Sequence, residues 1–299
     1  MSNKKSFNDI FKKIFGSPPP KPVPTRKPTP QPRTNPNPIQ RPIKPVEKEE
    51  KKVETPKVKV EQKETVNYRA EFMKTFKRLT YRHRSWDIWS DFIIMFACSI
   101  SNAVDKKYYD EREKLYLKTI KKYNKEEQMM FPELLAHTVM ALEMNQEQDF
   151  LGSIFMDLKL GNESGGQFFT PYHVCQFMAG ITLYTALVEV EKKGVITLHD
   201  SCCGAGATLI AGINEVKKEL HNSKFNFQNH LLVTGQDIDF VVALMCYIQI
   251  SLLGVAGYIK VGNSLSDPMC EGDDTNNYWY TPMYFSEVWT MRRLFKDLI

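Results

Sequence analysis

The sequence predicts an α/β fold: a parallel sheet whose carboxyl edge receives a nucleotide-like ligand, with a helical domain and a proline-rich tail ahead of it. Three observations predict it. The apolar β-type run Val195-Ile196-Thr197-Leu198 leads through His199 into the small-residue turn Asp200-Ser201-Cys202-Cys203-Gly204-Ala205-Gly206, and a helical pattern follows from Thr208. About thirty residues on, a second run, Leu231-Leu232-Val233-Thr234-Gly235-Gln236, ends on Asp237. A third, Tyr258-Ile259-Lys260-Val261, ends on the polar tip Gly262-Asn263-Ser264. Glycine lets a ligand approach the backbone, a helix N-terminus offers free N–H donors, and an acid at the second strand tip accepts ribose hydroxyls. Position 209 is Leu where a dinucleotide fingerprint carries Gly, which argues against NAD.

Taken in order, residues 1–16 read as a short basic amphipathic helix. Phe7, Ile10, Phe11, Ile14 and Phe15 share one face and Lys4, Lys5, Lys12 and Lys13 the other. A frayed terminus and a docking element for a partner or membrane surface are equally compatible with that pattern. Residues 17–66 read as a disordered linker, because 13 of the 17 prolines fall between positions 17 and 56 and a mixed-charge run follows. Residues 67–160 carry successive helical patterns: Phe72, Phe76 and Leu79, then Trp86, Trp89, Phe92, Ile93 and Phe96, then Leu115, Leu117, Ile120 and Tyr123. Trp86 and Trp89 read as core anchors rather than a base-stacking platform, and Arg82-His83-Arg84 as a solvated helix end rather than a phosphate contact. Residues 161–299 hold the ligand-binding α/β domain.

Net charge is +5, but residues 1–66 carry sixteen Lys/Arg against seven Asp/Glu. Removing that +9 from the +5 leaves −4 on the remainder, so attraction to nucleic-acid phosphates sits mainly in the tail. The six cysteines show no zinc spacing, so no metal is expected, with ligation by His199 and Cys202 or Cys203 the disfavoured alternative. Residues 7–15 are too polar for a signal peptide, which with reduced thiols predicts a cytoplasmic protein. Residues 241–259 approach bilayer-spanning length, yet Gln249, Ser251, Gly254 and Gly257 interrupt them. They read as a buried helix followed by a strand, with no transmembrane segment.

Four motifs in order, Gly166-Gln167-Phe168-Phe169-Thr170-Pro171, the Asp200–Gly206 turn, Gly235-Gln236-Asp237-Ile238-Asp239 and Gly262-Asn263-Ser264-Leu265, resemble the N6-adenine DNA methylases. Among these the chain is most similar to the modification subunits of type I restriction systems, over roughly residues 130–285. The resemblance implies a class I S-adenosylmethionine-dependent methyltransferase (Rossmann-like) core. It implies that Gln167, Phe169, Thr170 and Pro171 flank the methionine side of S-adenosyl-L-methionine. Asp200, Cys203, Gly204 and Gly206 would cradle the cofactor, Asp237 would hold the ribose and Asn263 would face the adenine. DNA is the implied partner, with a separate specificity or partner subunit docking the N-terminal helix.

One motif departs from the family. Members carry Asn- or Asp-Pro-Pro-Tyr/Phe after the fourth strand, where an acceptor pair and an aromatic ring hold the flipped adenine. The best counterpart here is Thr281-Pro282-Met283-Tyr284, which keeps one proline and the aromatic. Thr281, Pro282 and Tyr284 are therefore the expected base-binding and catalytic residues. Residues 275–280 are poor in the aliphatic side chains of a buried fourth strand, and no target-recognition domain is expected before Ile299. Two functions follow as expectations: adenine-N6 methylation of DNA, weak or partner-dependent, and a catalytically impaired cofactor-binding protein with a regulatory or assembly role. Methylation of RNA or protein stays open, because the cofactor half of such a fold does not define the acceptor.

Overall fold

The computed structural model describes residues 66–161 and 169–295. The expected helix at 1–16, all of the linker before Val66, and Gln167 lie outside the described residues.

Among the described residues five helices come first: α1 (Tyr68–Leu79), α2 (Ser85–Val104), α3 (Tyr109–Ile120), α4 (Lys125–Met144) and α5 (Phe150–Asp157). Local chemistry starts three of them. Asn67 accepts from the Ala70 N–H, Asn124 and Glu127 form a reciprocal capping box, and Asp149 accepts from the Gly152 N–H. Their shared core is aromatic. Trp89 is fully buried, with the rings of Phe72, Phe76, Phe92 and Phe155 at 6.0–6.2 Å. Trp86, by contrast, is 40% exposed and touches Phe155 edge-on. Arg82 and His83 face the carboxylate of Glu127.

Helices α6 (Tyr172–Thr182) and α7 (Ala186–Lys193) lead into strand β1 (Ile196–Asp200). Helix α8 (Ala207–Glu219), the single-turn α9 (Phe227–His230), β2 (Leu231–Asp237), α10 (Phe240–Leu252), β3 (Ala256–Val261), β4 (Tyr278–Tyr280) and α11 (Glu287–Leu294) complete the order. The sheet runs β1-β2-β3-β4. The first three strands are parallel, and Asp200 lies beside Gly235 and Asp237 beside Val261. Their carboxyl ends thus form one edge. β4 is antiparallel to β3, with Tyr280 beside Tyr258 and Tyr278 beside Lys260.

Helix α10 is apolar on nearly every face, as a helix enclosed by other elements must be. It packs on α2, on α5 and on strands β2 and β3, so helices and sheet share one hydrophobic core. The stretch 241–259 is a buried helix followed by a strand. Among the described residues α2 is the one helix long and apolar enough to cross a membrane, and 72% of its apolar window is buried inside the fold.

Candidate functional site

The turn between β1 and α8 is held from several directions. Asp200 accepts from the Cys202 N–H at 3.0 Å and from the Thr208 hydroxyl at 2.6 Å, which ties the strand tip to the first turn of α8. The Cys203 N–H reaches back to the Gln236 carbonyl on β2, and the Gly206 N–H to the Cys203 carbonyl. Gly206 has φ +100° and stands at the start of α8, which has no side-chain cap. A Cβ there would lie 2.8 Å from Cys246 Sγ, so position 206 requires glycine on both conformational and steric grounds.

Asp237, at the tip of β2, closes the turn from the other side. It accepts from the Gly204 N–H at 2.9 Å and from the Asp239 N–H at 3.0 Å. Burial raises its pKa above the usual carboxylate range, and the two backbone donors offset part of that shift. A carboxylate offers about four lone-pair sites, so two remain for a ligand's hydroxyl groups. Asn263 follows β3 on the same edge, exposed, its side chain accepting from the Leu265 N–H. The Gly262 N–H bonds the Asp237 carbonyl and fixes this loop against β2.

Phe169 is brought to the same turn. Its ring stacks on Phe155 of α5 at 5.3 Å and lies 3.4 Å from where a Cβ on Gly204 would stand. Thr170 is exposed, and Pro171 caps α6, its carbonyl accepting from the N–H groups of Val174 and Cys175. The structure therefore brings together Phe169, Asp200, Cys203, Gly204, Gly206 and Asp237, with Thr170 and Pro171 next to Phe169 in the chain and Asn263 in the loop after β3. Cys203 is 3% exposed and its thiol pKa is raised by the Cys246 thiol and by burial. Its side chain packs beneath the turn, beside Gly235 and Cys246.

Thr281, Pro282 and Tyr284 are not brought to this edge. Because β4 runs antiparallel, its chain leaves the sheet at the start of β3. The Thr281 N–H bonds the Gly257 carbonyl, and its fully buried hydroxyl accepts from the Gly257 N–H and donates to the Val255 carbonyl. Gly257 is four residues before Val261, about 13 Å along the strand from the edge that carries Asp237 and Asn263. Pro282 opens a 3₁₀ turn, and Tyr284 packs on Tyr258 and Tyr280 with the Arg293 guanidinium 4.1 Å over its ring. The strand direction thus places these three at the start of β3, at the opposite end of the strand from Asn263.

Two anchors escaped the sequence reading. Lys260, 2% exposed, binds the carboxylates of Asp267 and Asp273 and the Pro268 carbonyl, and so clamps the loop that carries Asn263. Gln249 is fully buried between α5 and the glycine turn. Each looked in sequence like a polar interruption of an apolar element, and no local pattern marks either.

Residues 152–298 match the family described as N-6 DNA Methylase. Among solved structures, the methyltransferase subunit of a type I restriction-modification system from Streptococcus thermophilus is similar at 18% identity, with a TM-score of 0.36. The match covers 69% of this chain and 42% of that subunit. No curated protein matches the chain.

Proposed function

We propose, from the match of residues 152–298 to the N-6 DNA methylase family, that this edge binds S-adenosyl-L-methionine for adenine-N6 methylation of DNA. The observation that carries the cofactor reading is the bond from the Gly204 N–H to Asp237, which joins the glycine turn after β1 to the acid at the tip of β2. In this reading the two unused lone-pair sites of Asp237 accept the ribose hydroxyls. Asn263 borders the adenine, Phe169, Thr170 and Pro171 border the methionine portion together with Gln167, and the uncapped N-terminus of α8 approaches the cofactor's carboxylate. When bound, the cofactor supplies an electrophilic methyl group on a sulfonium. The chain's contribution is position and electrostatics: it fixes both ends of the cofactor and needs no base of unusual pKa.

A second reading is favoured by one observation. Thr281 spends its hydroxyl and its N–H on β3, so the segment 281–284 is not available to hold an adenine at the cofactor edge. We infer that methyl transfer is weak or depends on a partner, such as a specificity subunit docking the N-terminal helix expected at 1–16. The alternative is a cytoplasmic cofactor-binding protein that regulates or assembles with a DNA complex. The division into a helical domain at 67–160 and a cofactor domain at 161–299 is part of the same proposal. The test is N6-methyladenine, measured by mass spectrometry in DNA incubated with the full chain and S-adenosylmethionine. Methylation untouched by Tyr284→Ala is expected if any transfer occurs. Methylation abolished by that change would return segment 281–284 to the reaction centre.

A further inference from the structure

The two segments expected to grip the cofactor are far apart in sequence, and one buried side chain spans the gap between them. Gln249 Nε2 donates to the Ala205 carbonyl in the glycine turn at 2.9 Å and to Asp149 Oδ1 at 2.7 Å. Its Oε1 accepts from the Leu151 N–H at 3.0 Å. Asp149 caps α5 through the Gly152 N–H, so both bonds on the α5 side hold the N-terminus of that helix. The far half of α5 carries Phe155, which stacks on Phe169, and Phe169 in turn covers Gly204. A closed loop of contacts results: Ala205, Gln249, the start of α5, Phe155, Phe169, Gly204.

We propose that Gln249 is a positioning residue that registers the glycine turn against the segment carrying Phe169, and so sets the affinity of the cofactor site. This rests on the cofactor reading given above. Gln249 is 0% exposed, so it acts only through Ala205 and α5. An amide is required chemically. Two of its three bonds need donors on one nitrogen, directed at a carbonyl and at a carboxylate, and the third needs an acceptor. An ionised carboxylate and a hydrocarbon each fail at least two of the three. Leucine would leave the Ala205 carbonyl and the Leu151 N–H unpaired in the interior.

The experiment compares wild type, Gln249→Leu and Gln249→Glu by calorimetric titration with S-adenosylmethionine between pH 5.5 and 8.0, with circular dichroism at each pH. In Gln249→Glu the introduced carboxyl donates one hydrogen bond while protonated, whereas once ionised it faces both Asp149 and the Ala205 carbonyl with no donor. The titratable groups around this position are Asp149, whose pKa is raised by burial, Tyr172 and Cys175 on α6, and Cys203 in the turn. Burial pushes Tyr172 up to about 12 and raises the Cys175 thiol, and the Cys246 thiol together with burial raises Cys203, so these three groups stay uncharged while the introduced carboxyl ionises. The Gln249→Glu affinity relative to wild type should fall roughly 5- to 100-fold from the acid to the alkaline end, the effect of losing one buried hydrogen bond. Gln249→Leu should bind more weakly at every pH. If Gln249→Leu does not fold, the pH profile of Gln249→Glu, isolated at pH 5.5, decides. Wild-type binding with a flat relative profile for Gln249→Glu overturns the positioning role and leaves the cofactor reading intact. Absence of binding by wild type removes both.

Discussion

Replacing Gly206 by alanine tests the glycine turn at its tightest point. Two costs are separable. An L residue in left-handed backbone costs about 1–2 kcal/mol, and Gly206 sits at φ +100°. The new methyl would stand 2.8 Å from Cys246 Sγ and 3.3 Å from its Cβ, and overpacking of this kind costs about 1–3 kcal/mol. Together the loss is roughly 2–5 kcal/mol, a large part of a stability of about 5–15 kcal/mol. Cys246→Ala removes the sulfur and with it the 2.8 Å contact, leaving the 3.3 Å approach to Cβ and the backbone part. The double variant should therefore be about 1–2 kcal/mol more stable than the two single losses summed. Urea unfolding of the four proteins measures the cycle. Additivity within about 0.5 kcal/mol, or Gly206→Ala as stable as wild type, would refute the steric argument.

The remaining predictions concern the same edge and its supports. Asp237→Ala strands the Gly204 and Asp239 N–H groups and removes the proposed ribose acceptors, so cofactor affinity should fall by about 1–3 kcal/mol or more in a calorimetric titration. Thr281→Val should lower stability by about 1–3 kcal/mol in denaturant unfolding and leave cofactor affinity unchanged, since its bonds hold β4 to β3. Lys260, followed by the Tyr278 hydroxyl, holds Asp273 down to about 2. Because the folded pKa is depressed below the ordinary value of about 3.9, the stability from this group is fully present above about pH 4 and is lost as pH falls through about 2. Asp273→Asn should flatten that acid limb of the melting-temperature profile.

What the sequence made legible was local. The β1 run, the glycine turn and the apolar face of α8 lie within about twenty residues, and spacing along the chain is enough to order them. Asp237 was legible because a strand tip ending on an acid is a short pattern. The position of Thr281 was not. Its segment carries a proline and an aromatic in the expected order, but what decides its place is the direction in which three residues of β4 pair with β3, and pairing direction is a tertiary choice. The tyrosines that make residues 278–280 look unlike a buried strand are the side chains that cluster there, Tyr278 and Tyr280 against Tyr258. Gln249 and Lys260 were illegible for a related reason. Gln249 is a single polar residue in an apolar run whose partner Asp149 lies a hundred residues away, and Lys260 meets Asp267, Pro268 and Asp273 only because the loop seven to thirteen residues on folds back over it.

The central claim is that the edge formed by Asp200, Gly204, Gly206, Asp237 and Asn263 binds S-adenosylmethionine. Calorimetric titration of the full wild-type chain with this cofactor, beside a thermal-shift measurement, tests it most directly. The account predicts saturable binding with one cofactor per chain and a rise in melting temperature, both weakened by Asp237→Ala. No heat and no thermal shift at millimolar cofactor, or equal binding by Asp237→Ala, would contradict it.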